Sequence, residues 1–235
     1  MLARAKEQNV KKIICIGTSH QDSLAARDFA TEDNGVYWAY GIHPNEATGG
    51  FRFDRDAAER ELECSPDRDG SKRDNLVAIG EVGLDYHYEG YDRDAQIRLF
   101  EEMLQLAADK DLPISFHVRE AFNDFFAITK NFPRLRGVVH SFTDSKKTLK
   151  RILTETEFYI GVNGLATYST LPTPPLERTL LETDAPFLAP VPHRDDTNEP
   201  SFIPEIANWL ANKLEQNPET VAKITTKNAT DLFDL

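Results

Sequence analysis

The sequence predicts an α/β fold in which parallel strands alternate with helices and close into a TIM (β/α)8-type barrel. Three features carry that expectation. Seven short apolar runs recur along 235 residues, amphipathic helical stretches lie between them, and run after run closes on a polar side chain. The first two give a βαβα order, which implies a parallel sheet with right-handed crossovers, either open or closed on itself. The third decides between those. In a barrel the C-terminal strand ends converge on one mouth, whereas an open sheet gathers polar groups mainly at one switch point. Six such ends, at His43, Glu81, His117, His140, Asn163 and Asp184, favour the barrel.

The chain begins directly in a helical stretch, "LARAKEQNV". The strand runs follow: "KKIICIGT" (11–18), "GVYWAYGIHP" (35–44), "LVAIGE" (76–81), "LPISFHV" (112–118), "GVVHSF" (137–142), "EFYIGVNG" (157–164) and "RTLLETDAP" (178–186). They are nearly continuous in Val, Ile, Leu and Phe, as strands buried on both faces should be. The clearest helix is 93–110, where Ile97, Phe100, Leu104 and Ala107 recur at three- or four-residue intervals. Seven strands are one short of a full barrel, and the absent one is expected to be the first. "TGGFRFDRD" and "SPDRDGSKRDN" gather Gly, Asp and Ser and read as surface loops. Residues 190–202 follow the last strand and are expected to form a substrate loop. No repeat or linker divides the chain, so residues 1–235 are read as one domain.

Composition narrows the class. Hydrophobic residues make up 40% and charged residues 28%, ordinary for a globular protein. No apolar run reaches the roughly 18 residues of a membrane span, and the N-terminus lacks the pattern of a signal peptide, so a cytoplasmic location is expected. Cys15 and Cys64 match neither a redox pair nor a zinc knuckle and read as reduced thiols. The net charge of -12 argues against a broad electrostatic footprint on duplex nucleic acid but leaves room for a local phosphate site.

Glu81 poses the chemical question. "NLVAIGEVGLDYHY" opens as a buried strand and then places a carboxylate where Val or Ile would fit. A desolvated carboxylate costs several kcal/mol unless a cation or hydrogen-bond donors meet it. By itself Glu81 admits a structural ion pair or a metal-binding or catalytic role. A single strand-end His is often a hydrogen-bonded core residue, and Asp184 before Ala-Pro could cap its turn. Together Glu81, His117, His140 and Asp184 form a donor set that suits Zn, Mn, Fe or Co, with Mg tolerated where carboxylate and water dominate. Two cations about 3.5–4 Å apart can activate water and stabilise a leaving oxygen, and a carboxylate such as Glu81 can bridge them.

"GIHPNEA", "AIGEVGLDYHY", "PISFHVREA", "VVHSFTDS", "FYIGVNG", "LLETDAPFLAPVPHR", "NEP" and "TTKNATDLF" resemble, in order and over nearly the whole chain, the signature blocks of the TatD family of metal-dependent hydrolases. The resemblance implies a (β/α)8 barrel of the metal-dependent hydrolase kind, two divalent metal ions (Mg, Mn or Zn) and 3'-5' exodeoxyribonuclease activity. It implies that Glu81 bridges the metals, that His117 and His140 bind one of them, and that Asp184 binds the other and orients the water. Arg119 suits a substrate phosphate by its guanidinium geometry, or else a surface salt bridge. His43, Asn198 and Glu199 occupy family positions near the mouth, and of these His43 and Asn198 are expected on the substrate side.

Two departures stand out. Family members begin with a strand bearing His-x-His, which does not occur here, and residues 1–10 already match the helix after that strand. A start codon placed too far downstream, a chain given without its first residues, and a genuine one-metal variant would each produce this; an incomplete N-terminus is the expectation, because a barrel without its first strand exposes two edges. Residues 163–178, "NGLATYSTLPTPPLER", hold three prolines and leave little room for a crossover helix.

The functional expectation is a monomeric deoxyribonuclease acting on DNA ends or short single strands, with Asp184 as base, Glu81 beside it in catalysis, and no membrane partner. A metal-dependent amide or ester hydrolase, and a single-metal or inactive chain that only binds, are the alternatives.

Overall fold

A computed structural model describes residues 1–30, 34–63 and 75–235. Cys64 and most of the expected loop at 65–75 lie outside the described residues. In chain order the elements are α1 (Leu2–Glu7), β1 (Ile13–Ile16), α2 (His20–Phe29), β2 (Val36–Tyr40), α3 (Arg55–Glu63), β3 (Leu76–Asp85), α4 (Arg93–Lys110) and β4 (Ile114–Arg119). There follow α5 (Phe122–Thr129), β5 (Gly137–Val139), α6 (Lys146–Glu155), β6 (Tyr159–Val162), β7 (Thr179–Leu181), α7 (Ile203–Leu214) and α8 (Pro218–Phe233). The chain falls into two compact units: Lys12–Gly137, and Met1–Lys11 with Val138–Leu235.

In the Lys12–Gly137 unit β1, β2, β3 and β4 pair in that order, all parallel. Asp92 caps α4 by accepting from the Ala95 amide, and Asp111 ends the helix in the left-handed region. Phe100, Leu104 and Ala107 turn inward as their spacing predicts, whereas Ile97 is only half-buried and Gln96, Leu99 and Met103 take the inward places beside them. Phe116 of β4 meets Phe100 and Phe125 edge to face, with ring centroids 6.2 and 5.2 Å apart. All three rings are fully buried. Burial of each contributes roughly 1.5–3 kcal/mol.

Glycine decides how closely β2, β3 and β4 approach. A Cβ on Gly41 would lie 2.1 Å from the Gly80 carbonyl carbon, and one on Gly83, whose φ is +153°, would lie 1.9 Å from the His117 carbonyl oxygen. Both positions therefore exclude a side chain. The peptide joining Gly80 to Glu81 is cis.

In the other unit β5, β6 and β7 are again parallel and in chain order. One core cluster gathers Leu176, Ala207, Leu210, Ala211 and Val221. Buried Asn228 of α8 donates through Nδ2 to the carbonyls of Leu176 and Thr179, so the "TTKNATDLF" block fastens the helix to β7. Between β6 and β7 there are only 3-10 turns, Gly164–Thr167 and Leu176–Arg178, as the prolines of this stretch predict. The segment from 190 to 199 has no helix or strand.

The seven strand runs are all found, but several end elsewhere than expected. β3 does not stop at Glu81; it continues to Asp85 through a register irregularity between Ile79 and Val82. A continuous apolar run ends at the first charge, whereas a parallel neighbour keeps supplying hydrogen bonds past it.

Candidate active site

Glu81 and His117 stand on adjacent strands of the Lys12–Gly137 unit, and the pairing of Gly83 with His117 brings them together. Nδ1 of His117 lies 2.6 Å from Oε1 of Glu81. Its other nitrogen, Nε2, lies 3.1 Å from Oδ2 of Asp85, a carboxylate that is 1% exposed. The ring is thus held at both nitrogens.

Asp85 is fixed in turn. Gln96 of α4 accepts from the Asp85 amide and donates to its carbonyl, both at 2.8 Å, and the His87 amide donates to Oδ1. Burial disfavours the charged ring of His117, but Asp85 and Glu81 outweigh it and hold the imidazole pKa above its ordinary value. For Asp85, burial is likewise overcome, by His117 and the His87 amide, and its pKa falls below the usual carboxylate range.

His43 completes this group. It follows β2, with its backbone amide donating to the Thr18 carbonyl, and its Nε2 lies 3.7 Å from Oε1 of Glu81. The rings of His43 and His117 meet edge to face at 4.4 Å. Among the described residues His43, Glu81 and His117 offer ligand atoms all within 4.8 Å of one another. Nδ1 of His43 accepts from the Asn45 amide at 3.2 Å, which in the neutral ring leaves the proton on Nε2. By distance His43 belongs with the ligands; by tautomer it presents a hydrogen-bond donor beside them.

His140 and Asp184 come together in the other unit. His140 follows β5, with Nδ1 2.9 Å from Oε2 of Glu182 and Nε2 3.4 Å from Oδ1 of Asp184. Glu182 is anchored by the Ser141 amide, and Asn163 donates to the Ser141 hydroxyl at 2.7 Å. Asp184 lies beyond β7 at φ 60°, a region Asp tolerates better than most residues.

Asn198 has no exposed surface. Its Nδ2 donates to the carbonyls of Thr183 and Phe187, and its amide to that of Pro186, so it clamps the turn that carries Asp184. Oδ1 of Asn198 is buried and has no hydrogen-bond partner among the described residues. Glu199 beside it is bound by Arg4 of α1 and by the Ser201 hydroxyl. Arg119 ends β4 two residues past His117 and reaches the Tyr88 hydroxyl at 3.5 Å.

Sequence reasoning overlooked Asp85, Gln96 and Glu182. Asp85 had a signal: it is an even number of residues beyond Glu81 and so shares its face if the strand runs on. Gln96 had none.

The donor chemistry fits a divalent cation. Glu81 supplies a carboxylate and His117 an imidazole whose second nitrogen is oriented by Asp85, the pairing that fixes ring tautomer in metal sites. Parallel βα units carrying such a set define a metal-dependent hydrolase of the TIM-barrel kind. The family model for TatD related DNase matches residues 1–234, and the chain belongs to the TatD family. It is 33% identical over 242 residues to an uncharacterized metal-dependent hydrolase, YabD, of Bacillus subtilis (strain 168), covering 99% of this chain and 91% of that one. It is also 33% identical over 252 residues to the 3'-5' ssDNA/RNA exonuclease TatD of Rahnella sp. (strain Y9602), covering 100% and 91%. The crystal structure of YJJV, a TatD homolog from Escherichia coli K12, superposes with a TM-score of 0.83 at 27% identity, over 100% of this chain and 90% of that one. Among the described residues no helix is long and apolar enough to cross a membrane.

Proposed function

We propose that this chain is a divalent-metal-dependent phosphodiesterase that removes nucleotides from the 3' ends of single-stranded DNA. The observation that carries the reading is the convergence of Glu81 and His117, with Asp85 behind the imidazole, on the adjacent parallel strands β3 and β4. The exonuclease names of two relatives support the substrate class. The family match running across both units supports reading residues 1–235 as one domain. A cytoplasmic, monomeric enzyme is part of the same proposal.

Glu81 and His117 would hold a cation, with Mg, Mn or Zn as candidates, and His140 and Asp184 are proposed as metal ligands as well. A bound cation supplies Lewis acidity at a phosphoryl oxygen and acidifies water. The residues do the rest. Asp85 would keep a proton on Nε2 of His117, so that Nδ1, which faces Glu81, could give its lone pair to a cation once its own proton is displaced. Asp184 takes the proton of the attacking water, with His140 in contact with its carboxylate. Nε2–H of His43 donates to an oxygen of the substrate phosphate, and Arg119 pairs with a neighbouring phosphate.

The test is a panel of 3'-ended DNA, RNA and acyl substrates assayed with Mg, Mn and Zn, together with metal counting by elemental analysis. Metal-stimulated release of mononucleotides that Asp184→Asn and Glu81→Gln both abolish, with the fold intact by circular dichroism, is the expected result. Turnover of acyl substrates alone, or retained nuclease activity in both variants, would overturn it.

A further inference from the structure

The loop after β3 carries an exposed tyrosine that packing does not require. Tyr88 is 55% exposed, and the guanidinium of Arg119 lies over its ring at 5.4 Å from the centroid. Tyr91, three residues on, is 42% exposed and stacks on Tyr86 at 4.7 Å with the rings 12° from parallel. An exposed tyrosine is ordinary singly, but Tyr88 with a guanidinium over its ring makes an aromatic and cationic surface.

The loop is held in place from both strands. The Tyr86 amide donates to the Arg119 carbonyl at 3.0 Å, the His87 amide donates to Asp85, and Nδ1 of His87 lies 2.7 Å from Glu120. The Tyr86 hydroxyl donates to Asp124, which Arg93 holds through two bonds of 2.8 Å. The loop that presents Tyr88 is therefore fastened on both sides of it. Arg119 lies two residues past His117 on β4, hence on the same face of the strand.

We propose that Tyr88 and Arg119 form a subsite for single-stranded nucleic acid, in which a base near the strand end stacks on the Tyr88 ring while Arg119 pairs with the adjoining phosphate. The inference rests on the phosphodiesterase reading for its substrate class. It adds that recognition is by the π-face of the base and therefore tolerant of sequence. With a net charge of -12 the chain as a whole repels a polyanion, so affinity has to come from a local site of this kind. Arg119 serves both functions: its guanidinium lies over the tyrosine ring, and its N–H groups would pair with the phosphate.

The test compares 5'-labelled single-stranded oligonucleotides with phosphorothioate links at the 3' end, either base-bearing or abasic over the last nucleotides. Binding to the metal-loaded full chain is read by fluorescence anisotropy. The wild type should bind the base-bearing strand about ten-fold more tightly than the abasic one. Tyr88→Ala should erase that difference, Tyr88→Phe and Tyr88→Trp should keep it, and Arg119→Gln should weaken both strands and reduce the salt dependence. Equal discrimination by wild type and Tyr88→Ala would overturn the subsite, even if the enzyme degrades DNA. Discrimination lost in Tyr88→Ala by a chain that binds but hydrolyses no DNA would uphold the subsite and remove the phosphodiesterase reading. Failure of the wild type to bind or cleave either strand would remove both.

Discussion

Asp85 and His117 are joined across neighbouring strands by a 3.1 Å contact between a nearly inaccessible carboxylate and an imidazole nitrogen. The contact commits Nε2 of the ring and directs Nδ1 to Glu81. Loss of an outer partner of this kind typically costs 10–100-fold in metal affinity. Asp85→Ala is accordingly expected to weaken Mn binding by roughly that factor in titration calorimetry. Asp85→Asn keeps the volume and can accept through its amide oxygen, so it should fall between the two.

Gly41 and Gly83 bring β2 and β4 against the backbone around Glu81. A methyl group at either position has to displace main chain rather than a flexible side chain. Gly41→Ala and Gly83→Ala should each lower the unfolding free energy by about 1–3 kcal/mol or more in urea titration. Gly49, where an added Cβ would meet nothing within 4 Å, is the control. Gly49→Ala should stay within about 0.5 kcal/mol of wild type.

Asn198→Ala leaves the carbonyls of Thr183 and Phe187 without their donor inside the protein. The cost expected is about 1–3 kcal/mol for each group left unsatisfied, read as a lower melting temperature. Asn198→Asp should be worse, since it replaces the donor with a charged oxygen facing two carbonyl oxygens. If the turn is what holds Asp184 in place, both variants should lose more turnover than the fraction unfolded accounts for.

Glu199 supplies a pH dependence. Arg4, then Ser201, hold its carboxyl well below the ordinary 4.5, at about 2. A depressed folded pKa means that the bound state stabilises the fold at pH above about 4.5 and that this contribution fades as pH falls toward 2. Melting temperature should therefore drop over that window in wild type. Arg4→Ala should start lower at neutral pH and show a shallower fall, and a slope as steep as wild type would count against the pair.

Much of the fold was legible because it is written in local periodicity. The apolar runs at 13–16 or 159–162 and the inward stripe of α4 each follow from burial of one stretch of chain, and the prolines of 163–178 exclude a crossover helix by their own geometry. Glu81, His117, His140 and Asp184 stood out in the sequence, because ionisable groups in or just after buried runs need a partner. The sequence could not supply those partners. Asp85 and Glu182 looked like ordinary acids beside a more conspicuous neighbour, Gln96 like any polar residue of a helix, and Asn198 like a group facing substrate. Their roles arise from contacts between residues distant along the chain, 32 apart for His117 and Asp85 and 15 for Asn198 and Thr183, and such pairings exist only once strand register and loop closure bring the atoms within hydrogen-bond distance.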